Sequence, residues 1–168
     1  MKHLWAPWRI GYVSALRRKP KGCVFCRMIR EKKDARNFII TRTKHSFAVL
    51  NLYPYNNGHV LIVPNKHADD LAKLTGVEKK DLLELFESTK LLLDKVLRPH
   101  GYNVGINIGR SAGAGFPGHI HIRVVPRWGG DVNFMPVTAA TKVVSQSLTM
   151  LYKLLSHAHQ KRNRRSRK

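Results

Sequence analysis

The chain has 168 residues, 43% of them hydrophobic, with 31 lysines and arginines against 10 acidic residues and a formal charge of +21. That apolar share fits one packed domain and argues against intrinsic disorder, while no run of residues approaches the length of a membrane span. The opening residues lack the apolar core of a secretory leader, so a cytoplasmic protein is expected.

Much of the charge lies in Arg17–Lys21 and Lys161–Lys168. Such ends attract polyanions, nucleic acid included, or form a solvated basic surface with a disordered tail. Residues 1–22 read as an arm with Pro7, Pro20 and Gly22, docked on the domain through Trp5 and Trp8, which are too large and apolar for a free tail. The domain proper is expected over 23–157 and the basic tail over 158–168.

Cys23 and Cys26 are the only cysteines. Their CxxC spacing suggests half a metal site or a redox pair before a structural disulfide, and no clear strand precedes them as a thioredoxin-type motif would need. A short helix is expected from Cys23 to about Lys33. Three strand-like runs follow, Phe38–Arg42, Ser46–Leu52 and Gly58–Pro64, the last two bounded by the turn-forming segment Tyr53–Asn57.

Ala68–Leu74 reads as a short helix. Val77–Leu97 reads as a long one, because Leu82, Leu85, Phe86, Leu92, Leu93 and Val96 recur at three- and four-residue spacing. Pro99 and Gly101 end it. Strands are expected at Tyr102–Ile108 and His119–Val125, joined by the glycine-rich loop Gly109–Gly118, whose glycines permit close approach to a ligand or sharp turns. Trp128–Pro136 reads as loop and Thr138–His157 as the last helix. The sum is an α+β fold: an antiparallel sheet of about five strands, one long helix and a C-terminal helix.

The segment His119–Trp128, His-Ile-His-Ile-Arg-Val-Val-Pro-Arg-Trp, holds the chemistry. On a strand, His119, His121 and Arg123 share one face and Ile120, Ile122 and Val124 the other. Lined up, the three nitrogen-bearing side chains repel when charged unless an anion or metal lies before them. The alternative is an exposed polar face of an ordinary amphipathic strand.

This segment resembles the histidine-triad family, whose motif is His-φ-His-φ-His-φ-φ, often followed by Pro-Arg. Further segments agree: Phe47–Asn51, Gly58–Pro64 with His67, and Asn107–Gly109. The opening Leu-Trp-Ala-Pro-Trp-Arg, the Cys-Val-Phe-Cys, and Gly129–Pro136 look like the bacterial diadenosine-polyphosphate phosphorylase/hydrolase branch, and the likeness runs from about Leu4 to Thr149.

The resemblance implies that His121 is the nucleophile, forming a nucleotidyl-histidine that water or phosphate then opens. It implies that Asn107 and the backbone of Gly113, Gly115 and Phe116 hold phosphate, that Asn51 grips ribose, and that Cys23, Cys26, His67 and His119 hold a structural zinc. His59 is expected to pack or cap locally.

Arg123 replaces the third histidine of the motif. A guanidinium still donates a fork of hydrogen bonds to phosphate but cannot pass a proton. The leading expectation is therefore hydrolysis or phosphorolysis of a dinucleoside polyphosphate, the substrate containing adenine. The alternatives are a nucleotide-binding or regulatory protein with weak turnover, and a deadenylase linked to nucleic acid. A homodimer is expected from the family.

Overall fold

In a computed structural model, residues 22–113, 116–131 and 146–165 are described. Residues 1–21 of the N-terminal arm, with its tryptophans, lie outside them, as do Gly115, residues 138–145 of the expected last helix and residues 166–168 of the expected tail. In chain order the elements are α1 Val24–Glu31, α2 Asp34–Asn37, β1 Ile39–Arg42, β2 Ser46–Leu50, β3 Val60–Pro64, a 3₁₀ turn Leu71–Lys73, α3 Gly76–Leu97, β4 Gly101–Ile106, β5 Ile122–Arg127 and α4 Leu148–Arg165.

The strands form an antiparallel sheet in the order β1-β2-β3-β5-β4. Its two faces are built by the period-two alternation of side chains. Ala48, Leu50, Val60, Ile62, Ile122 and Val124 join Leu82, Leu85 and Leu93 of α3 and Leu151 and Leu155 of α4 in the larger core. Phe47, Val49, Leu61 and Val63 turn the other way and bury Phe25 and Met28 of α1. Each buried aliphatic or aromatic side chain stabilises the fold by about 1.5–3 kcal/mol relative to exposure.

The long helix starts at a capping box: Thr75 accepts from the Glu78 amide and the Glu78 carboxylate accepts from the Thr75 amide. It ends at Arg98, in a left-handed conformation directly before Pro99. Gly58 opens the approach to β3 with φ of +75°, where a Cβ would lie 2.6 Å from Leu97 Cδ1. Only glycine fits there.

The element ends differ from the sequence reading for local reasons. The helix expected at Ala68–Leu74 is a 3₁₀ turn over Leu71–Lys73, capped by Asp70 on the Ala72 amide. β5 begins at Ile122, not His119, because residues before it bond elsewhere: the Ile120 amide donates to Ala68 O at 2.6 Å and the His119 amide to Phe116 O. α2, which the sequence reading did not contain, is tied to β1 by a bidentate bond from Arg42 to Asp34. The last helix continues to Arg165, so residues 158–165 are helix instead of tail. Ala158 packs against the larger core and Arg162 donates to Ser88 O at 3.0 Å.

Candidate active site and metal centre

The approach to β5 carries two buried histidines, with 1% of His119 and 5% of His121 exposed. They are not an open polar face, because α1 covers them. The Phe25 ring, set between the two cysteines in sequence, lies 5.3 Å from each imidazole and 5.7 Å from Phe116. Ile122 and Val124 face the opposite core, as the alternation predicts.

Two backbone carbonyls fix the two imidazoles in opposite tautomers. His119 Nε2 donates to Pro64 O at 2.9 Å, which leaves Nδ1 as a lone-pair donor. His121 Nδ1 donates to His119 O at 3.0 Å, which leaves Nε2 with the lone pair. Burial is the main influence that holds each ring below the usual histidine range; the Arg123 guanidinium adds to this for His121, and His67 for His119. His121 is therefore neutral at neutral pH, and its Nε2 meets no hydrogen-bond partner among the described residues.

The lone pair of His119 meets the CxxC. Cys23 Sγ lies 3.2 Å and Cys26 Sγ 3.7 Å from His119 Nδ1, Cys26 Sγ 3.3 Å from His67 Nδ1, and the two Nδ1 atoms 3.3 Å apart. All four donor atoms lie within 4.8 Å of one another. Residues separated by about a hundred positions thus converge in a set with metal-ligand composition and spacing. The Cys26 thiol is raised, mainly by burial and by its neighbour Cys23.

Of the other residues expected at the site, Gly115 lies outside the described residues and the rest are placed as follows. Arg123, two positions on, donates to Tyr55 Oη at 2.6 Å and to Gly113 O at 3.4 Å. Gly113 stands over Asn107, whose Nδ2 lies 3.5 Å from where a Gly113 Cβ would be, and its amide donates to Arg110 O in a turn. Asn51 is a turn residue in this state: Oδ1 accepts from the Tyr53 amide and Nδ2 meets the His59 ring. His59 is buried and caps the Tyr55 amide, the local role read from the sequence. Sequence reasoning missed Tyr55 and Phe25. Phe25 stood inside the CxxC, but spacing alone does not say which ring it faces; Tyr55 gave no local signal.

The model of the HIT domain matches residues 15–130. The chain belongs to the HIT family. Among similar proteins, AP-4-A phosphorylase of Mycobacterium tuberculosis is 37% identical over 162 residues, covering 93% of this chain and 83% of that protein. A bis(5'-nucleosyl)-tetraphosphatase (asymmetrical) of Schizosaccharomyces pombe is 36% identical over 93 residues, 55% of this chain and 50% of that protein. The crystal structure of a Zn-bound histidine triad family protein from Mycobacterium smegmatis superposes with a TM-score of 0.67 at 24% identity, over 84% of this chain and 96% of that one. That likeness establishes the HIT fold for the sheet and its helices. Among the described residues no helix is long and apolar enough to cross a membrane.

Proposed function

We propose that the chain is a nucleotidyl-transferring HIT enzyme that cleaves dinucleoside polyphosphates through His121. The observation that carries this reading is the His121 tautomer: Nδ1 is committed to the His119 carbonyl and Nε2 is left as a neutral nucleophile beside a guanidinium. Nε2 attacks the α-phosphorus, the bond from that phosphorus to the bridging oxygen breaks, and the remaining nucleotide leaves as a polyphosphate. Water or orthophosphate then displaces the imidazole from phosphorus, giving a nucleoside mono- or diphosphate and restoring His121. Arg123, Asn107 and the backbone of the glycine-rich loop, Gly115 and Phe116 included, hold phosphate oxygens, with Gly113 anchoring Arg123. Asn51 retains a second lone pair on Oδ1 for a ribose hydroxyl. The name of the mycobacterial relative supports an adenine-containing dinucleotide, and that of the yeast relative a dinucleoside tetraphosphate, as the substrate class.

Cys23, Cys26, His67 and His119 are assigned to a structural zinc. Tetrahedral zinc with bonds of about 2.3 Å to sulfur and about 2.0–2.1 Å to nitrogen needs N···N edges of roughly 3.3 Å and S···N edges of roughly 3.5 Å. The observed 3.3 Å between imidazoles and 3.2–3.7 Å for three of the four sulfur–nitrogen pairs fit, and the Pro64 carbonyl sets the tautomer that ligation requires. Four protein donors would complete a tetrahedral coordination and leave no position for substrate, so a bound ion would hold α1 against the His119 backbone. The mycobacterial Zn-bound relative supports the metal's identity. A cytoplasmic homodimer, with non-specific nucleic-acid contact through the basic termini, is proposed with it.

A binding-only role is the second reading, favoured by Arg123, which holds phosphate without a transferable proton. Incubating the protein with diadenosine tetraphosphate, with and without orthophosphate, and resolving the nucleotides by anion exchange tests both. ATP with AMP in water, or with ADP when phosphate is present, supports turnover; unchanged substrate bound to protein supports the second reading.

A further inference from the structure

Arg123 is held from two sides of the proposed phosphate site. Nη1 donates to the phenolic oxygen of Tyr55 at 2.6 Å, and Nη2 makes a long bond of 3.4 Å to the Gly113 carbonyl. The guanidinium carbon lies 5.5 Å from the centre of the Tyr55 ring. Tyr55 is itself anchored from below: its amide donates to His59 Nδ1 at 3.1 Å, and its ring lies 4.9 Å from that buried imidazole, centroid to centroid. One guanidinium therefore ties the loop between β2 and β3 to the glycine-rich loop after β4.

Arg123 Nε is buried and meets no acceptor among the described residues. A phenol that accepts from a guanidinium keeps its own proton to give, and the pair polarises together. Histidine at position 123, shorter and without the planar fork, could not span both loops.

We propose that Tyr55 is a positioning residue of the phosphate site: it holds the Arg123 guanidinium as a clasp between the two loops, so that its charge is fixed beside the bound polyphosphate. The inference rests on the nucleotide reading of the site and adds a residue that no part of the triad motif contains. It also means that the arginine substitution is paired with a tyrosine in another loop, so the two act as one unit.

A double-mutant cycle with Tyr55→Phe and Arg123→Gln tests it. Tyr55→Phe keeps the ring and removes only the oxygen. Binding of ADP is measured by calorimetry, and KM and kcat with diadenosine tetraphosphate. Tyr55→Phe alone is expected to weaken ADP binding and raise KM about five- to tenfold, a fold-change typical of one hydrogen bond, with kcat changed less than about twofold and the melting temperature unmoved. In the Arg123→Gln background the same change is expected to do nothing further, within about twofold. Unchanged binding in the single variant, or an equal loss in both backgrounds, overturns the proposal. If the wild type binds ADP but turns over no dinucleotide, the activity reading fails while the binding cycle still decides the clasp.

Discussion

His121 donates its Nδ1 proton to the carbonyl of His119, 3.0 Å away, so the residue expected to ligate metal also orients the expected nucleophile. Breaking the Cys/His cluster should then be felt in both stability and turnover. Cys23→Ser is expected to lower metal content to less than one ion per chain. Ligand loss of about 3 kcal/mol corresponds to a fall of roughly 6–12 °C in melting temperature for a domain of this size. Metal analysis and calorimetry check this; a metal-free wild type with the same melting temperature as the variant would remove the cluster's role.

In the proposed mechanism Arg123 separates phosphate binding from leaving-group protonation. A polyphosphate leaves as a stable anion, whereas an amine must acquire a proton, which a guanidinium cannot give at neutral pH. Arg123→His is expected to raise turnover of an adenosine phosphoramidate relative to diadenosine tetraphosphate by about tenfold or more, within the usual range of general-acid effects. Loss of the Tyr55 contact should lower polyphosphate affinity in the same variant. An equal response of the two substrate classes, measured as kcat/KM, would make Arg123 an electrostatic clamp only.

Much of this fold was legible because its signals are local. The alternation in Phe47–Leu50 and Val60–Val63 divides cleanly between two cores, and the stripe of Leu82, Leu85, Leu92 and Leu93 fixes the long helix. What escaped depends on partners distant in sequence. β5 starts late because Ala68 takes the Ile120 amide, and α4 outlasts its basic composition because Arg162 reaches Ser88. The convergence of His67 on His119 came from family resemblance, not from spacing. Tyr55 and Arg123, 68 positions apart, share no pattern that a sequence read alone could join.

Gly58→Ala tests the packing behind the β2–β3 loop. At φ of +75° a methyl group would lie 2.6 Å from Leu97 Cδ1 and 3.0 Å from Pro126 Cγ. The left-handed backbone costs about 1 kcal/mol for a residue with a Cβ, and overpacking adds about 1–3 kcal/mol. Urea unfolding should show a loss of about 2–4 kcal/mol. A variant as stable as the wild type would mean that Leu97 and Pro126 yield freely.

Asp94 gives the stability curve an acid limb. Lys90 Nζ and the Tyr102 hydroxyl, each 2.8 Å from a carboxylate oxygen, hold it below the usual carboxylate range. A depressed folded value means that its contribution is present above the unfolded pKa of about 3.9 and is lost as pH falls through the folded value. The pair is partly exposed, so the effect is modest. The stability gap between wild type and Asp94→Asn should be constant from about pH 7 to pH 5 and shrink below about pH 4. A gap that stays level into strong acid would mean that the carboxylate's charge contributes nothing.

Attack by His121 Nε2 is the central step of the proposed reaction. His121→Asn is the informative variant, because an asparagine amide can occupy the Nδ1 position and still donate to the His119 carbonyl while offering no nucleophile. Turnover of diadenosine tetraphosphate by this variant, measured beside the wild type at equal metal content and melting temperature, is the deciding measurement. A loss of at least about a thousandfold in kcat, with ADP binding within a few-fold of wild type, is the predicted result for removal of a covalent nucleophile. Turnover within tenfold of wild type would contradict attack by His121.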